Sequence, residues 1–141
     1  MGISKASGTW NGGFKDGKGT MKPGHAPEAT FTAGTRFEDQ VGSNPEELVG
    51  AALAGCFSMA LTLGLEKAGM TPKSIDTTAD VKLERTEAGQ TIVGIDLVTK
   101  AVVPGADAAK FQEVAEATKK GCPVSRVLAA TKISLLATVS G

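Results

Sequence analysis

Tyrosine is absent from this sequence, and rings of any kind are few: one tryptophan and five phenylalanines. That leaves no platform on which single-stranded bases could stack. Net charge is missing too, with 15 Lys and Arg against 15 Asp and Glu. The balance supplies neither a basic stripe for nucleic acid nor an attraction to an acidic membrane surface. Histidine occurs once, as His25 between Pro23 and Pro27, with no second soft ligand beside it and no CxxC pair elsewhere, so zinc-site spacings are excluded. Two cysteines do not make a secreted disulfide framework, and the opening MGISKASGTW has no apolar signal-peptide core. These absences predict a cytoplasmic protein with no nucleic-acid or membrane partner. At 141 residues the expectation is a single domain, 1–141, burying roughly 68–70% of its unfolded surface.

One long apolar stretch stands against these absences. Val49–Leu65 carries no charge and contains Cys56. It approaches the lower limit of a membrane span, but Gly50, Gly55, Ser58, Thr62 and Gly64 interrupt it, and it reads as a buried helix instead. Asn44 is a good N-cap, Pro45 fits the first helical position, and Glu47 completes a capping-box pattern. Gly69 suits the position just past the end, with Pro72 soon after. The helix Pro45–Ala68 is apolar on nearly every side, which predicts enclosure by protein. A domain of this size has few layers to enclose it, so a partner subunit is expected to cover one face.

The flanking segments read as sheet and shorter helices. Before the helix, Ser4–Trp10, Gly19–Lys22 and Glu28–Gly34 are candidate strands separated by Gly-rich turns. After it, Ile75, Thr77, Ala79, Val81 and Leu83 alternate with polar residues, as in a half-buried antiparallel strand. Thr91–Val103 follows, with Val93, Ile95, Leu97, Ala101 and Val103 on one face. Asp107–Lys120 reads as an amphipathic helix, Pro123–Ala130 as a short one, and Lys132–Val139 as the last strand. The order predicts an α+β fold: an antiparallel sheet with helices segregated to one side.

Reactive chemistry would have to come from sulfur. A thiolate, not a thiol, is the nucleophile, and apolar surroundings suppress it. Cys56, flanked by Gly55 and Phe57, should be inert by itself and could simply be core packing. Arg36, just upstream, could stabilise a thiolate or merely make a surface ion pair. Glu46 near the helix start complements the helix dipole. About ten residues of continuous helix separate Glu46 from Cys56, a rise of about 15 Å that no Glu side chain spans. Either the helix breaks, or Glu46 meets the Cys56 of another subunit. Cys122, ahead of Pro123, falls at an N-cap, where anionic sulfur is favoured. If the fold brings the two cysteines together, they have the logic of a thiol that is oxidised to a sulfenic acid and a second that condenses with it.

The block NPEELVGAALAGCFSMAL, preceded by RFED at Arg36–Asp39, resembles the central helix of the OsmC family, named for osmotically inducible protein C and related to the organic hydroperoxide resistance proteins. KKGCPVSRVL at Lys119–Leu128 is similar to that family's second cysteine segment, and Ala6–Lys22 fits as well. Arg36 directly ahead of NPEE resembles the OsmC branch in particular. The resemblance implies an intertwined homodimer of antiparallel sheets around a long buried central helix, with active sites at the interface. It implies a thiol peroxidase that reduces organic hydroperoxides, and hydrogen peroxide less readily, in protection against oxidative stress. Cys56 would be the peroxidatic thiolate, Cys122 the resolving thiol, and Arg36 with Glu46 the pair that holds the thiolate and orients the peroxide. Phe57 and Met59 are available to line an apolar substrate channel, though either could equally pack the core or a dimer interface. No metal or prosthetic cofactor is implied, only an external dithiol reductant such as a lipoyl group. The competing expectation is a non-enzymatic thiol redox sensor, or a binding protein for a small apolar ligand, on the same fold.

Overall fold

Gly19 shows how the N-terminal sheet is assembled. β1 (Ala6–Asn11), β2 (Lys18–Pro23) and β3 (Ala29–Phe31) pair antiparallel in that order, and Gly19 stands opposite Trp10 on one side and Phe31 on the other. A Cβ at Gly19 would lie 2.6 Å from the Phe31 ring and 2.5 Å from the Thr9 carbonyl. Its absence lets the two rings close over the strand, with centroids 5.4 Å apart. These relations come from a computed structural model that describes residues 2–141. The chain forms two compact units, one ending at Leu48 and one comprising Val49–Gly141.

The third strand stops earlier than the expected Glu28–Gly34. Thr32 becomes the N-cap of a short helix, α1 (Ala33–Phe37). The Thr35 N–H donates to Thr32 Oγ1 at 3.1 Å, and the Thr32 N–H donates to Thr35 Oγ1 at 2.9 Å. This is a reciprocal capping box with Thr at the position where Glu or Gln is usual. Arg36 lies in the last turn of α1.

The central helix α2 runs unbroken over Pro45–Lys67. Asn44 Oδ1 accepts the Glu47 N–H at 2.9 Å. The second half of the expected box is not made, because the Glu47 carboxylate accepts from Ser43 Oγ at 3.0 Å instead. The helix ends as expected: Gly69 has φ +84°. The Met70 N–H reaches the Leu65 carbonyl at 2.9 Å and the Gly69 N–H the Glu66 carbonyl at 3.0 Å, a Schellman closure. Within the chain, enclosure of this helix is one-sided. One stripe, Leu53, Phe57, Leu61 and Leu65, is fully enclosed, whereas Ala52, Gly55, Met59 and Leu63 face outward. A helix apolar all round finds only enough neighbours in this chain to cover one side.

In the second unit β4 (Ser74–Thr86) and β5 (Gly89–Val102) form an antiparallel hairpin, followed by α3 (Ala108–Gly121), α4 (Pro123–Val127) and β6 (Ile133–Ser140). The fold is α+β, but the second sheet, ordered β4-β5-β6, is mixed, since β6 runs parallel to β5. The intervening helices act as the crossover that a parallel return requires. A register shift at Lys82/Leu83 leaves Gly94 opposite Lys82 and Ile92 opposite Leu83. Val93 is the extra residue of a bulge, so Ile92 packs on the core where Val93 was expected. Ile95, Leu97, Ala101 and Val103 are buried as expected, together with Thr99. Buried Thr99 is satisfied by Thr77 Oγ1 at 2.7 Å, and Ser58 on α2 donates to that same Thr77 at 2.8 Å. This chain of hydroxyls, with Phe111 and Ala115 of α3 in the same core, fixes the middle of α2 against the second sheet.

Candidate active site

In the first unit α1 and the start of α2 bring Arg36 and Glu46 together. Arg36 Nε donates to Glu46 Oε1 at 3.0 Å and to Oε2 at 3.2 Å, and an Nη of Arg36 also pairs with Oε1. Glu46 is buried, and about a third of the Arg36 side chain remains exposed. The carboxylate therefore fixes one edge of the guanidinium plane. The guanidinium carbon lies 5.5 Å from the centroid of the Phe37 ring. Around it opens a cavity of about 230 Å³ lined by Trp10, Phe14, Phe31, Thr32, Ala33, Arg36 and Phe37. Three of the five phenylalanines and the only tryptophan converge there. Sequence reading missed this aromatic box. Its rings come from strand, turn and helix, and only the pairing around Gly19 and the Thr32 cap aligns them.

In the second unit the fold brings Cys56 and Cys122 together. Both are free thiols, Cys122 buried and Cys56 half-buried. Burial pushes the Cys56 thiol above its ordinary 9.0; the Val124 backbone amide draws it down in part, and the neighbouring Cys122 thiol pushes it further up. Cys122 is the N-cap of α4 as expected, its Sγ accepting the Ser125 N–H at 3.3 Å. The Ser125 hydroxyl lies 3.0 Å from the same sulfur. Val124 and Ser125 are thus the polar neighbours of the two thiols, and they too were missed; the CPVS block carried the only signal.

The two expected lining residues part company. Phe57 is fully enclosed in the core, whereas Met59 is 73% exposed and borders a shallow depression with Gly55, Ser58, Thr62 and Pro72–Ile75. A second, larger cavity of about 500 Å³ lies between α2 and α3, beside Cys122 and Pro123. Among the described residues no three His, Cys, Asp or Glu side chains gather as a metal site.

Two neighbouring thiols can form and resolve a sulfenic acid, the chemistry of a cysteine-based peroxidase, and a named relative supports that class. The chain is 50% identical over 128 residues to Peroxiredoxin OsmC of Escherichia coli (strain K12), covering 89% of this chain and 90% of the relative. Residues 37–135 match the family described as OsmC-like protein. The chain belongs to the OsmC family. An OsmC-like protein from Mycoplasma pneumoniae superposes with a TM-score of 0.79 at 16% identity, covering 99% of each chain, a likeness of fold alone. An organic hydroperoxide resistance protein from Elizabethkingia anophelis superposes with a TM-score of 0.69 at 25% identity, covering 99% of this chain and 98% of its own.

Proposed function

We propose that this protein reduces organic hydroperoxides, and hydrogen peroxide less well, through a Cys56–Cys122 disulfide, as a cytoplasmic defence against oxidative stress. The observation that carries the reading is the meeting of the two thiols at the start of α4. The Cys56 thiolate attacks the terminal oxygen of the hydroperoxide. The O–O bond breaks, sulfur is oxidised to a sulfenic acid, and the departing alkoxide takes a proton to become the alcohol. The Cys122 thiol then attacks Cys56: an S–S bond forms, the S–O bond breaks, and water leaves with the thiol proton. An external dithiol, of the lipoyl type, reduces the disulfide by exchange.

Burial raises Cys56, so attack near neutral pH needs a cation to favour the thiolate. Arg36, oriented by Glu46, supplies it in this reading. Ten residues of continuous helix rise about 15 Å, and in this reading the pair serves the partner's Cys56 in a homodimer. The aromatic box beside Arg36 takes the organic part of the substrate, a role expected earlier of Phe57 and Met59.

Counting free thiols after one equivalent of cumene hydroperoxide tests the reading. The wild-type protein loses both thiols in a disulfide. Cys56→Ser loses none and has no peroxidase activity, and Cys122→Ser completes one turnover and then over-oxidises. Multiple turnovers by Cys56→Ser would overturn the proposal. Intact thiols in the wild-type protein after treatment would favour a binding protein instead.

A further inference from the structure

Ser125 has no part in the chemistry so far, yet its position is unusual for a serine at N3 of a helix. A capping residue at N3, usually Glu or Gln, returns a side-chain bond to the N-cap N–H. Here the Cys122 N–H is already donated to the Thr118 carbonyl at 3.0 Å, closing the last turn of α3. The Ser125 hydroxyl goes to sulfur instead, 3.0 Å from Cys122 Sγ. Ser125 is 4% exposed and Cys122 2%, so water has little access to either group. The sulfur is thus gripped from one residue twice, by the Ser125 backbone N–H and by its hydroxyl.

We propose that Ser125 is the positioning residue for the resolving thiol: its hydroxyl holds Cys122 Sγ toward Cys56 and stabilises the anion that attacks the sulfenic acid. A hydroxyl suits this task because it is both donor and acceptor. It accepts the S–H while Cys122 is a thiol, and rotates to donate once the proton has gone. The covalent step stays as balanced above: the proton lost by Cys122 leaves with the sulfenic oxygen as water, and Ser125 ends unchanged. The inference rests on the thiol-peroxidase reading and adds a residue that affects only its second step.

The test separates the two steps. Reduced Ser125→Ala protein is mixed with one equivalent of cumene hydroperoxide, and sulfenic acid (trapped with dimedone) and disulfide are followed over time from about pH 6 to pH 9. Sulfenic acid should form at the wild-type rate. Disulfide formation should slow by about tenfold or more, with its pH midpoint displaced to higher pH, and over-oxidation should increase. Ser125→Thr, which keeps the hydroxyl, should resolve close to the wild-type rate. Resolution in Ser125→Ala with wild-type rate and pH profile overturns the assignment. So does a Thr variant as slow as the Ala variant, a pattern that would reflect packing. If Ser125→Ala does not fold, the comparison of Ser125→Thr with Ser125→Gly decides in the same way. A wild-type protein that forms no Cys56–Cys122 disulfide would overturn the underlying reading, an outcome distinct from all of these.

Discussion

Arg36 is constrained by an acceptor that uses only one side of its guanidinium. Buried Glu46 takes Nε and one Nη, leaving the remaining N–H groups for an anionic sulfur or a peroxide oxygen. Arg36→Lys keeps the charge but loses the fork, and the rate of Cys56 oxidation should fall roughly 10²-fold. Glu46→Gln removes the carboxylate charge and leaves a single acceptor oxygen for the guanidinium, for an expected loss of roughly tenfold. The pH profile identifies the cause. Burial holds Cys56 above 9.0, and only the thiolate attacks, so the rate must climb as pH rises through the thiol's pKa. If Arg36 offsets burial, Arg36→Lys shifts that climb to higher pH; stopped-flow oxidation rates in which the mutant and wild-type profiles rise at the same pH would refute the role. The placement of these four side chains was legible because each carries a local mark: N-cap sulfur at Cys122, a carboxylate in the first helical turn, an arginine just ahead of it, and a cysteine in an apolar helix. The aromatic box carries no such mark. Trp10 and Phe31 meet only because Gly19 lies between them in the register, and the sequence separation conceals that.

At the scale of elements, α2 was readable almost to the residue because its caps are local chemistry, and the antiparallel β4–β5 hairpin was readable from its alternation, whereas the parallel pairing of β6 was not. Nothing in Lys132–Val139 indicates a parallel neighbour, and the one-residue bulge at Val93 reverses an alternation that otherwise looks regular. The second sheet nevertheless shows what holds its parallel edge. Asp96 on β5 accepts Ser134 Oγ of β6 at 2.5 Å and pairs with Lys82 of β4 at 2.7 Å. One carboxylate therefore bridges three strands. The Lys82 hydrogen bond, then that of Ser134, holds it below its ordinary 3.8. A carboxylate with a lowered folded pKa stabilises above its unfolded pKa, and that contribution fades as pH falls through the folded value. Lys82 is raised above 10.5, chiefly by the Asp96 hydrogen bond, so its share is present below 10.5 and fades as pH climbs beyond. Both side chains are substantially exposed, so the effect is small. Asp96→Asn should change Tm little near neutrality and flatten the acid limb of the Tm–pH curve below about pH 4. An acid limb identical to wild type would show that the bridge contributes nothing.

At the scale of the whole molecule, what the chain leaves uncovered matters as much as what it buries. Met59 and Leu63 on α2 are 73% and 53% exposed, on a helix whose sequence suits enclosure, and β1 is exposed throughout. A contiguous apolar helix face open to water is the mark of an interface. A two-fold partner would cover it and would let each Arg36–Glu46 pair serve the opposite Cys56. The consequence is quantitative. Cys56→Ser and Glu46→Ala proteins, each impaired alone, are unfolded together and refolded as a one-to-one mixture. Roughly half the dimers are then mixed, and each mixed dimer holds one site with Cys56 from one chain and Glu46 from the other. Peroxidase activity should recover to roughly a quarter of wild type, limited by that count of intact sites rather than by their quality. Sedimentation should show a dimer in every sample. Sites assembled within single chains would give no recovery beyond the sum of the two mutants, and that result in a verified mixture of dimers would break the shared-site arrangement while leaving the thiol chemistry of each Cys56 and Cys122 intact.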